Sequence, residues 1–138
     1  MGAPPPIALS LLVCERAISD ARTGQTSLIG IISHVLATSF PTLMPSLSIY
    51  FELTNGRGEV PIRIRVIDAN ELRDPVFEVN TPVSFEDPLA IVQISMGTSA
   101  LVFSEPGEYF VQIWSLGELL LSRRIMLVLA SGSEPGSR

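Results

Sequence analysis

Nucleophilic chemistry in this chain would rest on Cys14 and His34, since it has one thiol and one imidazole. If residues 7–18 and 26–35 pair across the turn Asp20-Ala21-Arg22-Thr23-Gly24-Gln25, Cys14 faces Ile31 and His34 faces Leu11. That register separates thiol and imidazole by roughly 10 Å at strand rise, too far for direct proton transfer. Cys14 beside Leu12 and Val13 therefore reads as a buried structural cysteine. The acidic loop Asp68-Ala69-Asn70-Glu71-Leu72-Arg73-Asp74 comes nearest to a calcium site, yet it lacks the EF-hand glycine and carries an arginine inside. No metal and no cofactor are expected. Lysine is absent, and neither G-x-x-x-x-G-K-[ST] nor G-x-G-x-x-G occurs, so a phosphate cradle is not expected either. No paired-carboxylate arrangement suggests glycosidase chemistry. The reading is of a protein that is not an enzyme.

The remaining candidates are contact residues. Arg63 and Arg65 project from one face of one strand, where they suit an acidic partner or a cross-strand carboxylate, Glu52. Tyr50 falls on the polar face of its strand. Trp114 is out of phase with Tyr109, Val111 and Ile113, and Phe110 shares its parity. Outward aromatics of this kind serve either as an interface between subunits or as a stacking platform for a sugar. Tyr50, Arg63, Arg65, Phe110 and Trp114 are thus the expected interface or ligand contacts.

The elements that must carry them are short apolar and β-branched runs separated by turn chemistry, the pattern of an all-β sandwich or barrel. Leu47, Ile49, Phe51 and Leu53 alternate with Ser48, Tyr50, Glu52 and Thr54, which makes a half-buried strand. Asn55-Gly56-Arg57-Gly58 follows, then Ile62, Ile64 and Val66 alternate with Arg63 and Arg65. Together they predict a hairpin. A second hairpin joins Glu108 to Ser115 with Leu119 to Leu129 through Leu116-Gly117-Glu118. Tyr109 heads its first strand after the turn Glu105-Pro106-Gly107-Glu108, resembling the tyrosine of immunoglobulin-like sheets whose hydroxyl bonds upstream backbone.

Ile7 to Ile18 is apolar nearly throughout, which suits a strand covered on both faces or one bending through a bulge. Thr26 to Ile32 returns antiparallel, and His34 to Phe40 reads as an extension of that strand in preference to a helical turn ending before Pro41. Segments 76–79, 83–85, 89–94 and 100–103 complete an antiparallel β-sandwich of eight or nine strands, immunoglobulin-like or jelly-roll-like, with no capped amphipathic helix. The domain spans residues 7–130, between disordered tails at 1–6 and 131–138.

Composition sets the remaining limits. The 138 residues suffice for one domain with its own core. A formal net charge of −5 opposes a phosphate backbone, so no nucleic-acid partner is expected. No apolar run is long enough to span a membrane, and the N-terminus lacks the positive residues of a secretory signal. A single cysteine fits a reducing, cytoplasmic setting, and arginine as the only Lys/Arg-type cation fits a bacterial genome of high GC content. Hydrophobic residues make up 46% of the chain, which implies either a large core or apolar surface kept for a protein partner or a homo-oligomer.

Cys14-Glu15-Arg16-Ala17-Ile18-Ser19-Asp20, Thr23-Gly24-Gln25-Thr26-Ser27-Leu28-Ile29-Gly30, Phe40-Pro41, Leu53-Thr54-Asn55-Gly56-Arg57-Gly58 and Pro106-Gly107-Glu108-Tyr109 together resemble a family of small bacterial β-sandwich proteins known as a domain of unknown function. The resemblance covers the whole domain. It implies a β fold and bacterial origin, and carries no activity. The function expected is therefore a non-catalytic protein–protein interaction module that self-associates through an apolar sheet face, with a small-molecule or carbohydrate-binding module as the alternative.

Overall fold

The computed structural model describes residues 4–130, so the C-terminal tail expected at 131–138 and the first three residues of the N-terminal one lie outside the described part. Of the N-terminal tail, Pro4 is exposed and Pro6 is buried where the chain enters its first strand. Among the described residues there are nine strands and no helix: β1 (Ile7–Ser19), β2 (Thr26–Ile31), β3 (His34–Ala37), β4 (Thr42–Thr54), β5 (Gly58–Asp68), β6 (Phe77–Phe85), β7 (Val92–Phe103), β8 (Gly107–Ser115) and β9 (Glu118–Leu129). They form two sheets. One is four-stranded in the order β2-β1-β4-β7, and the other five-stranded in the order β3-β9-β8-β5-β6 and curled into a half-barrel. The inward residues of both sheets make one hydrophobic cluster, in which Leu47, Ile49, Phe51 and Leu53 of β4 meet Val60, Ile62, Ile64 and Val66 of β5.

Alternation thus places the expected residues inward, but the expected β4–β5 hairpin does not form. The two strands lie in different sheets, and residues 55–57 carry the chain from one to the other. Asn55 and Gly58 do take positive φ, at 63° and 64°, as the turn residues suggested. The Asn55 amide donates to the Pro88 carbonyl at 2.8 Å instead of closing a hairpin. Gly56 sits against the Phe85 ring, which occupies the space a Cβ would need. Two strands with one apolar face each satisfy the same burial whether they lie side by side or face to face, so the pattern leaves this choice open.

The β1–β2 turn forms as expected. The Asp20 carboxylate accepts the Arg22 amide at 2.8 Å, and its backbone carbonyl accepts the Gly24 amide at 2.8 Å, with Gly24 at φ +75°. Cys14 stands opposite Ile31, the register read from the sequence. β1 is not covered on both faces, because only Leu11, Val13 and Cys14 are buried along it. It carries an irregularity between Ala8 and Ser10, and its second half runs past β4 to pair with β2 alone.

His34 does not face Leu11. Gly30 turns at φ +70°, β2 ends at Ile31, and the chain crosses to the five-stranded sheet. There β3 runs parallel to β9 with His34 beside Met126. The expected segments 76–79 and 83–85 merge into β6, an edge strand that tolerates Pro82, and segments 89–94 and 100–103 merge into β7. The β8–β9 hairpin is a two-residue turn, with Leu116 and Gly117 both at positive φ and Ser115 opposite Glu118. Tyr109 is 3% exposed, and its hydroxyl donates to the Glu105 carbonyl at 2.7 Å while accepting the Glu105 amide at 3.3 Å. Its ring meets Phe103 edge-on, with centroids 4.9 Å apart.

Candidate functional site

Four of the five expected contact residues lie on one surface, the outer face of the five-stranded sheet. Inward Tyr109, Val111, Ile113 and Ser115 leave Phe110, Gln112 and Trp114 of β8 facing outward. Registration with β5 sets Arg63 opposite Trp114 and Arg65 opposite Gln112. Phe110 and Trp114 are half-buried, and the Trp114 indole N–H donates to Gln112 Oε1 at 2.9 Å, which holds the ring across the strand. Arg63 and Arg65 do not reach Glu52, which is in the other sheet. Their carboxylate is Glu78 on β6, paired with Arg63 and lying 3.8 Å from Arg65. On the same face Arg124 of β9 pairs with Glu108 of β8. Such exposed pairs contribute about 0–1 kcal/mol each, so they orient the arginines more than they stabilise the fold.

The apolar part of this surface extends beyond Phe110 and Trp114. Met126 and Val128 alternate outward on β9, Leu36 of β3 stands beside Val128, and Leu119 stands beside Trp114. All four are exposed. The β9 alternation was visible in the sequence, but the parallel docking of β3 that brings Leu36 to it was not.

Tyr50 belongs elsewhere, on the outer face of the four-stranded sheet between Leu12 and Ser95. It is 6% exposed, so it offers no stacking surface. Its hydroxyl donates to Glu52 Oε2 at 2.7 Å, and burial followed by this bond pushes its pKa up to about 12. Glu52 also accepts Ser10 Oγ at 3.0 Å and Gln93 Nε2 at 3.3 Å. These donors, Tyr50 first, hold its carboxyl below the usual carboxylate range. This row spans β1, β4 and β7, which is why linear sequence does not reveal it.

Cys14 is fully buried and burial pushes its thiol up, while His34 is in the other sheet. The thiol and the imidazole are thus not paired with each other. The acidic loop after β5 closes on itself: Asp68 accepts Arg73 at 3.1 Å and the Leu72 amide at 3.3 Å, and Arg73 also reaches Glu105. A cleft of about 400 Å³ adjoins this group, lined by Asp68, Arg73, Asp74, Val76, Ser104 and Tyr109, but Asp68 and Arg73 are spent on each other. Among the described residues no three His, Cys, Asp or Glu side chains converge as metal ligands would, and no helix is long and apolar enough to cross a membrane.

Residues 9–128 match the model of a Family of unknown function (DUF6941), a span that reaches from within β1 to within β9. No curated protein matches the chain.

Proposed function

The chain belongs to this family of unknown function, and from its own surface we propose a non-catalytic protein–protein interaction module that self-associates through the outer face of the five-stranded sheet. The observation that carries the reading is the row Leu119, Trp114, Arg63 across β9, β8 and β5, with Phe110 four residues along β8 and Met126 farther along β9 on the same outward face. Aromatic, Met and Arg side chains are the types enriched in interface cores, and Trp and Arg dominate binding energy there. In this reading the two sheets form an immunoglobulin-like sandwich. Three features support it: β3 runs parallel along β9, β8 lies between β9 and β5, and Tyr109 bonds backbone four residues upstream as the tyrosine corner does. The same reading keeps the protein cytoplasmic and bacterial, on its single buried cysteine and arginine-only composition.

A second reading has one observation in its favour. Trp114 lines a shallow depression of about 200 Å³ with Pro61, Arg63 and Asn80, a shape that suits a sugar stacked on the indole. Light scattering after size-exclusion chromatography, over a roughly hundredfold concentration range, separates the two. We expect a mass at a multiple of 14.9 kDa that falls to a smaller multiple in Trp114→Ala and Phe110→Ser. A wild-type monomer throughout would overturn self-association. An oligomer whose mass is unchanged by Trp114→Ala while glycan-array binding is lost would favour the sugar site.

A further inference from the structure

We propose that the edge of β7 that no described strand covers is a second association surface, which takes β7 of another copy of this chain antiparallel and continues the four-stranded sheet across the contact. An edge strand presents a row of unpaired backbone donors and acceptors, so the partner it fits is another extended strand. Folded proteins blunt such edges, and three of the four sheet edges here are short or interrupted. β3 has four residues, β2 has six and turns at Gly30, and β6 carries Pro82 and Glu78. β7 is the longest of the four: it is registered with β4 at eleven residues, with one break at Ala100 (φ +56°) that leaves residues 92–99 regular, and it contains no Pro, Asp, Glu, Lys or Arg.

Two observations point to a second copy as the occupant. The chain carries a formal charge of −5, so two copies repel, but pairing β7 with β7 brings no charged side chain of either strand against its twin. The core is also unfinished at this edge. Ile49, Phe51 and Leu53 of β4 are fully covered, while Val92, Ile94 and Met96, their partners on β7, are only partly buried. A twofold antiparallel pairing lays inward residues of one β7 beside inward residues of the other, so both fringes are covered at once. This contact is independent of the outer face of the five-stranded sheet, which lies on the other layer.

Charge reversal tests the proposal. Ser95 and Ser99 are exposed on β7, so Ser95→Lys/Ser99→Lys and Ser95→Glu/Ser99→Glu leave the inward face untouched. In wild type, amide hydrogen exchange over residues 92–103 is expected to slow several-fold between dilute and concentrated protein. Each charge variant should lose that slowing, and an equimolar mixture of the two should regain it and run at the paired mass. Trp114→Ala should leave the β7 protection unchanged. Exchange over residues 92–103 that is independent of concentration overturns the proposal, including the case where a foreign strand is the true occupant. Loss of β7 protection in Trp114→Ala, with both charge variants still associating, overturns it in favour of the outer face. If one charge variant fails to fold, as read by far-UV circular dichroism, the other alone decides between loss and retention of protection.

Discussion

Replacing Tyr109 with Phe removes one oxygen and nothing else, which makes it a sharp test of how the β7–β8 corner is held. The hydroxyl makes two bonds to Glu105, a good one at 2.7 Å and a longer one at 3.3 Å. A neutral hydrogen bond contributes about 1 kcal/mol net, and a weak one about half that. Glu105 is at the surface, where water can take over its freed amide and carbonyl, so the penalty for unsatisfied groups stays small. The ring remains, and with it the edge-on contact to Phe103. The expected loss is therefore about 1–2 kcal/mol, and with a urea slope of roughly 2 kcal/mol per M the midpoint falls by about 0.5–1 M. Trp114 is the chain's single tryptophan and reports the transition by fluorescence, measured at one protein concentration so that association does not enter. Tyr109→Ala, which also empties the ring site, should cost about 3–5 kcal/mol. A Tyr109→Phe midpoint indistinguishable from wild type at equal slope would mean that ring packing alone holds the corner.

Gly56→Ala places a methyl group against the Phe85 ring at the crossing between sheets, and overpacking of this kind costs about 1–3 kcal/mol, read as a lower midpoint in the same assay. Gly58→Ala at φ +64° has open space around it and should cost only backbone strain, about 1 kcal/mol, so a larger loss there than at Gly56 would contradict the packing account. Alkaline pH probes Tyr50, whose folded pKa is raised to about 12 from an ordinary 10. A raised folded pKa gives stability that is complete below pH 10 and is lost as pH rises to about 12, an effect on the order of 3 kcal/mol. Tyr50→Phe should flatten that part of the stability profile, and an unchanged profile would refute the assignment. Glu52, held low, works in the opposite sense: its contribution is present above the ordinary carboxylate pKa and fades as pH falls through the lowered one.

What the residues determined alone are features decided within a few positions. The alternation of Leu47 to Leu53 and of Ile62 to Val66 set which side chains face the core, because side chains change face at every residue in a strand. Asp20 and Gly24 closed the first turn, and Leu116-Gly117 the last, through local backbone chemistry that needs no distant partner. The Tyr109 corner was legible for the same reason, since its hydroxyl reaches only to Glu105. The outward phase of Phe110 and Trp114 followed from that register.

Tertiary structure decided everything that depends on which strand lies beside which. β4 and β5 have the pattern of a hairpin, yet they lie in different sheets, and so Arg63 and Arg65 meet Glu78 and not Glu52. Tyr50 alternates like a surface residue and is buried, because the flanking strands β1 and β7 set Leu12 and Ser95 beside it. His34 leaves the strand it was expected to extend and joins the other sheet in parallel. Apolar periodicity specifies how much of each strand is covered, and several neighbours cover it equally well. The choice among them is made by closure of the two sheets around one core, a sum over contacts distant in sequence that no single segment encodes.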